Sequence, residues 1–167
     1  VNACPVCSGE RVSRIAAIMG EEVEPVERRV AFVRCTGGAR ANKKYEYIGI
    51  SDCVGAMKVA GNGPLECAYG CLGFGNCVRA CAFDAIHINE NGVAEVDRDL
   101  CTNCGQCREA CPRGLIGEIP YAADITVGCA SKEKGAVSRQ QCAASCIGCK
   151  LCEKNCPSDA IHVVDNV

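Results

Sequence analysis

Cys101-Thr-Asn-Cys104-Gly-Gln-Cys107-Arg-Glu-Ala-Cys111-Pro112 is the stretch that decides the fold. Its C-x2-C-x2-C-x3-C-P spacing is the bacterial iron–sulfur run, in which the fourth cysteine ligates the other cluster of a pair. The short steps let one tight loop wrap three thiolates around three corners of a cube. The fourth cysteine then leads the chain away, and the proline after it suits a first helical turn, where its missing N–H costs nothing. A zinc site needs four ligands and no third C-x2-C step.

A second run with the same spacing, Cys146-Ile-Gly-Cys149-Lys-Leu-Cys152-Glu-Lys-Asn-Cys156-Pro157, exposes an internal repeat. The stretch from Cys67 to His87 aligns without gaps to the stretch from Cys142 to His162. Within it Phe74 stands where Cys149 stands, and Ala82 where Pro157 stands. Cys71 and Cys77 therefore lack a middle ligand between them, and Cys67 is the nearest replacement, with Cys53 as the alternative. The expected ligand sets are Cys67, Cys71, Cys77 and Cys111 for one [4Fe-4S] cluster, and Cys81, Cys101, Cys104 and Cys107 for its partner. The exchange of Cys81 and Cys111 ties the two halves into one dicluster module.

Cys146, Cys149 and Cys152 are expected to serve a third cluster, with Cys156 directed to a further one. Cys101 lies 14 residues after His87, and the same offset from His162 falls past Val167. The sequence is thus expected to stop before its second module is complete. Cys35, Cys53, Cys129 and Cys142 are left over: either one more cluster or buried thiols, which pack as small hydrophobes. Cys35 in AFVRC and Cys129 in ITVGC each end a short apolar, strand-like stretch. At least two complete clusters are expected, and three or more in all.

Composition agrees that something other than hydrocarbon fills the core. Cysteine takes 18 of 167 positions, and the 49% hydrophobic content counts those cysteines. There is no tryptophan, and only three phenylalanines and four tyrosines. A formal charge of −2 gives no basic excess for phosphate, so nucleic acid is not an expected partner. No apolar run approaches the ~20 residues needed to cross a bilayer. No signal peptide precedes Val1, and the missing initiator methionine suggests a processed, trimmed or partial chain.

The expected fold is α+β, with dicluster-ferredoxin-like modules of short β-hairpins and helices preceded by a small helical segment. Residues 9–34 read as helical: Val12, Ile15, Ile18 and Met19 form one face, Gly20 ends the run, and Pro25 opens a second helix carrying Val26 and Val30. Residues 1–34 then form a helical amino-terminal remnant, and 35–66 a glycine-rich connection. Residues 67–125 make the dicluster module, and 126–167 the first half of a second. Ala85–Ile88 and Val93–Val96 flank an Asn-Gly turn and predict a hairpin, with His87 and His162 at equal repeat positions. No nucleophile with a base and no phosphate-binding loop is present, so no catalytic residue is assigned.

VNACPV, VERRVAFVRC, CAYGCLGFGNCVRAC, CTNCGQCREACPRGLI and CIGCKLCEKNCPSDAIH together resemble the B subunit of the Rnf complex. The resemblance covers essentially the whole chain. It implies that Cys4 is the last ligand of an amino-terminal cluster whose other cysteines precede Val1, and leaves Cys7 unassigned. It also implies an electron-transfer subunit of a membrane-bound ferredoxin:NAD+ oxidoreductase that translocates Na+ or H+. Reduced ferredoxin would be the donor, and other membrane subunits the partners. Flavin, NAD and ion sites would lie in those partners, with no direct NAD binding here, and the chain would sit at the cytoplasmic face of the membrane. A free-standing polyferredoxin is the alternative carrier, and a structural metal or disulfide scaffold the alternative outside electron transfer.

Overall fold

The computed structural model of the chain describes residue 7, residues 9–22 and residues 27–164. Helix α1 spans Gly9–Met19. Gly20 closes it at φ +74°, and the Glu21 N–H donates to Ala16 O at 3.0 Å, a bond that a left-handed residue at this position allows. Only Val12 and Ala16 of this helix are buried, while Ile15, Ile18 and Met19 are exposed, so the packed face is narrower than the apolar spacing predicts.

The expected second helix does not reach Val30; Val26 lies outside the described residues. Arg29–Val33 is a strand, β1, paired antiparallel with β4, Ile116–Pro120. The RVAFV sequence has β-branched residues that suit a pleated, half-buried surface, and Val30 in it is fully buried. Between these strands in sequence lie α2 (Cys53–Met57), α3 (Asn76–Arg79), β2 (Ile86–Ile88), β3 (Ala94–Val96) and α4 (Gln106–Ala110). Strand β1 also lies against β3, so residues 29–33 belong to the unit that carries the first two cysteine runs. The helical segment assigned to residues 1–34 therefore ends before Arg29.

The expected hairpin forms, with Ile86 opposite Val96 and Ile88 opposite Ala94. Its turn differs from a two-residue Asn-Gly turn. Asn89 and Val93 close a three-residue loop, the Gly92 N–H donates to Asn89 O at 2.8 Å, and Gly92 takes φ +73°. That is a type I turn followed by a left-handed residue. Asn89 Oδ1 fixes it by accepting from the N–H groups of Asn91 and Val93, both at 3.1 Å. His87 faces solvent opposite Glu95. His162 is exposed and in no strand, and the repeat positions equivalent to β3 fall past Val167.

Residues 35–66 are more than a connection. After a single 3-10 turn at Gly38–Arg40, Ala41 bridges to Cys142 and Lys43 bridges to Leu65. The Asn42 N–H donates to Gln141 O at 2.8 Å, and the Ala143 N–H to Arg40 O at 3.0 Å. The segment clasps the hairpin on one side, where Ala39 N–H donates to Asn91 O, and helix α5, Gly135–Gln141, on the other. Gly38 sits at φ +53° with Asn91 O only 1.9 Å from where a Cβ would lie, so no side chain fits there. A last short helix, α6, covers Leu151–Lys154.

The main core joins Ala31, Val33, Ile86, Val93, Ala94 and Ile116 to the buried Cys77 and Cys107. Cys35, Cys71, Cys81, Cys101 and Cys111 pack against that core from its rim, in the company of Val78, Ile88 and Val96. Thiols thus occupy positions that leucine and phenylalanine fill in an ordinary domain.

Candidate metal centres

Three cysteine loops share one backbone pattern. In Cys71–Cys77 the left-handed residues are Gly73 and Gly75; in Cys101–Cys107 they are Asn103 and Gly105; in Cys146–Cys152 they are Gly148 and Lys150. Such alternation turns successive N–H groups inward and makes a concave anion-binding nest. The Asn103 N–H donates to Cys101 Sγ at 3.4 Å, the Gly148 N–H to Cys146 Sγ at 3.5 Å, and the Gly73 N–H to the Cys71 sulfur. A helix follows each loop. Asp84, Gly114 and Asp159, each three residues past the fourth cysteine of its run (Cys81, Cys111 and Cys156), are left-handed as well.

The first two of these loops gather their sulfurs into apolar cavities. Cys81, Cys101, Cys104 and Cys107 line one, together with Ala31, Ile86 and Val96. That is the quartet expected from the sequence. The Ala31 N–H of β1 adds a hydrogen bond to Cys101 Sγ at 3.4 Å.

A second cavity is lined by Cys53, Cys71, Cys77 and Cys111. Cys53 stands where Cys67 was expected, and a capping network explains how. Asp52 caps α2 by accepting from the Gly55 N–H at 2.6 Å, which, with Asn76, holds its carboxyl below the usual range. Asn76 Oδ1 accepts from the Cys53 N–H at 2.8 Å, and Asn76 Nδ2 donates to Asp52 at 2.7 Å. Cys53 is thereby pinned over the first cysteine loop. Cys53 was the alternative the sequence offered, and the Asp52-Cys53-Val54-Gly55 cap is a local signal that could have favoured it.

Cys67 turns to a third cavity, which it lines with Cys35, Cys129 and Cys142. The leftover quartet expected from the sequence thus exchanges its Cys53 for Cys67. In the last run Cys149 and Cys152 are exposed, and Cys146 and Cys156 are partly buried. Cys4 lies outside the described residues. His87 and His162 line none of these three cavities.

No disulfide joins any of the twelve cysteines that line these cavities. Among the described residues no group of three or more His, Cys, Asp or Glu is close enough to hold a single metal ion. A zinc ion draws its thiolates to about 2.3 Å from one point. Four sulfurs spread around an apolar hollow instead suit a group with several irons, each taking one thiolate.

Residues 94–116 and 143–162 match the 4Fe-4S binding domain family. The chain is 42% identical over 99% of its length to the B subunit of the Na(+)-translocating ferredoxin:NAD(+) oxidoreductase complex of Acetobacterium woodii. It is 45% identical over 99% of its length to the B subunit of the proton-translocating ferredoxin:NAD(+) oxidoreductase complex of Clostridium ljungdahlii. The B subunit of the ion-translocating oxidoreductase complex of Methanosarcina acetivorans is 41% identical over 99% of the chain. Across nearly its whole length the chain is thus similar to Rnf-type B subunits. It spans 50%, 58% and 62% of the lengths of those three relatives, respectively. It is an iron–sulfur chain of the α+β, ferredoxin-like kind, with two 4Fe-4S binding regions. No helix among the described residues is long and apolar enough to cross a membrane.

Burial shapes the chemistry of the chain's thiols. Removal from water pushes Cys77 up to about 12, with Cys71 and Cys111 adding to the effect. Burial likewise raises Cys67, Cys71 and Cys107. The metal-free cavities therefore favour protonated thiols, and binding iron must release those protons. Arg113 lies between the second and third cavities, lining one and donating to Cys67 O at 2.9 Å and Gly70 O at 2.6 Å. A unit charge ~8 Å away at an effective dielectric of ~20 is worth about 2 kcal/mol, roughly 90 mV for a one-electron couple. Arg113→Gln is expected to lower the potential of the nearer cluster by about 50–100 mV. Redox titration followed by EPR reads this directly, and unchanged potentials would remove Arg113 from the electrostatic account.

Proposed function

We propose that the chain is an electron-transfer subunit of a membrane-bound ferredoxin:NAD+ oxidoreductase. It accepts single electrons from reduced ferredoxin and relays them to other subunits, in a complex that moves Na+ or H+ and holds this chain at its cytoplasmic face. The observation that carries the reading is the pairing of two four-cysteine cavities, with Cys81 and Cys111 crossed between their loops, in a relative of the Rnf-type B subunits. The proposed ligands are Cys53, Cys71, Cys77 and Cys111 at one centre, and Cys81, Cys101, Cys104 and Cys107 at the other. Cys146, Cys149 and Cys152 are proposed for a further centre, with Cys156 crossing to another, and Cys4 for an amino-terminal one.

Bound there, a [4Fe-4S] cluster supplies reversible one-electron chemistry. The chain's own residues do the rest. The left-handed loops aim N–H groups at sulfur, which stabilises added negative charge and raises the potential. Val33, Ile88, Leu115 and Ile116 keep water from one centre, and Ala85, Ile86 and Val96 from the other.

Stopped-flow mixing of the anaerobic holoprotein with reduced ferredoxin, and separately with NADH, tests the proposal. Rapid bleaching by ferredoxin and none by NADH is expected. Direct reduction by NADH requires a nucleotide site in this chain and overturns the reading.

A further inference from the structure

We infer that Cys35, Cys67, Cys129 and Cys142 hold an additional [4Fe-4S] cluster, outside both matched 4Fe-4S segments, that passes electrons between the two ferredoxin modules. This rests on the electron-transfer reading above and deepens it.

The cavity has the marks of a built site. Cys67 and Cys142 are 7% and 6% exposed, yet neither has a disulfide partner. Gly37 forms part of the wall, and a Cβ there would lie 3.1 Å from Cys142 Sγ and 3.7 Å from Cys35 Sγ. The Cys71 N–H donates to Cys35 Sγ at 3.3 Å, as backbone donors do at the other centres. Two of the four sulfurs obey the internal repeat. Cys67 and Cys142 are equal repeat positions, each four residues before the first cysteine of a run, and Cys35 and Cys129 each end an apolar stretch. Four thiols around one cavity with no single-ion geometry call for a cube rather than a lone metal.

Position gives the role. Cys67 is four residues from Cys71 of the neighbouring centre, and Cys142 is four residues from Cys146 of the last run. Ser138, buried beside the cavity, is within hydrogen-bond distance of Ser131 Oγ at 3.2 Å and donates to Cys146 O at 3.0 Å, joining wall to run. The transfer moves one electron: the donor cluster is oxidised by one electron as the acceptor is reduced by one. No bond forms or breaks and no proton moves. Reduced ferredoxin supplies the electron.

The double variant Cys67→Ala/Cys129→Ala of the anaerobically loaded protein is compared with wild type and with Cys104→Ala. The double variant is expected to lose about four irons per chain and to simplify the spin-coupled EPR spectrum of the reduced protein. Iron content and an EPR spectrum identical to wild type would overturn the inference. If Cys104→Ala alone loses iron, only this inference fails; if neither variant does, the iron–sulfur ligand assignment itself fails. Should the double variant not fold, alkylation of loaded wild type decides. Cys35 and Cys129 are expected to resist iodoacetamide until iron is removed, and reaction as fast as in the urea-unfolded chain would overturn the site.

Discussion

Stripping the iron anaerobically with a chelator is expected to unfold the segment from Arg29 to Pro120, leaving no folded metal-free form. The described core contains few large fully buried side chains, with Val30 the one aliphatic residue in that group. Cys77 and Cys107 belong to the core itself, and Cys35, Cys71, Cys81, Cys101 and Cys111 pack against it. Removing the iron leaves hollows where a hydrocarbon core would stand. Metal-binding energy in such a domain is folding energy, and it is of the order of the whole ~5–15 kcal/mol stability of a domain. Hydrogen exchange checks this. Protection at Val30, Ala31, Val93 and Ala94 is expected to fall at least about a thousandfold, some 4 kcal/mol. Retained protection in the stripped chain would show that the strands hold without iron.

The second large effect separates Cys53 from Cys67. Cys53→Ala is expected to abolish the same EPR signal that Cys77→Ala abolishes, with a loss of about four irons. Cys67→Ala should leave that signal in place, because its sulfur lines the cavity of Cys35, Cys129 and Cys142. Asn76→Ala is a useful companion, since it removes the acceptor of the Cys53 N–H without touching a thiol. The reverse outcome, with Cys67→Ala emptying the centre of Cys77, would restore the assignment suggested by nearness in sequence.

That contrast shows what the sequence made legible. A run such as Cys101–Cys111 is local, and its spacing alone gathers three sulfurs in one loop and sends the fourth away. The grouping of Cys101, Cys104 and Cys107 was readable for that reason, the exchange of Cys81 for Cys111 followed from the bacterial iron–sulfur pattern, and the hairpin around Asn89–Gly92 was local as well. The choice of Cys53, which the sequence offered only as the alternative to Cys67, was not, because it depends on Asp52 and Asn76 meeting across 24 residues. Strand β1 was hidden for a similar cause. RVAFV carries an apolar spacing that helix and strand share, and only its partner at Ile116–Pro120 chooses between them. The glycine-rich stretch reads as a linker because its ties, Ala41 to Cys142 and Lys43 to Leu65, are single bridges without a periodic pattern.

The clasp made by residues 35–66 has a consequence for biosynthesis. Its partners on α5 are synthesised well after it, so Cys35 waits for Cys142 across more than a hundred residues. At ~5–20 residues per second the ribosome takes roughly 5–20 s to cover that distance. Until then Cys35 and, once made, Cys67 stand on a nascent chain without their full set of partners, where oxidation or premature metal capture competes with correct closure. The dicluster unit has all of its cysteines once Cys111 has emerged, whereas the third cavity does not have all four until Cys142 has followed. The cysteines of the paired centres are therefore complete about thirty residues of synthesis before those of the cavity that joins them to the last run.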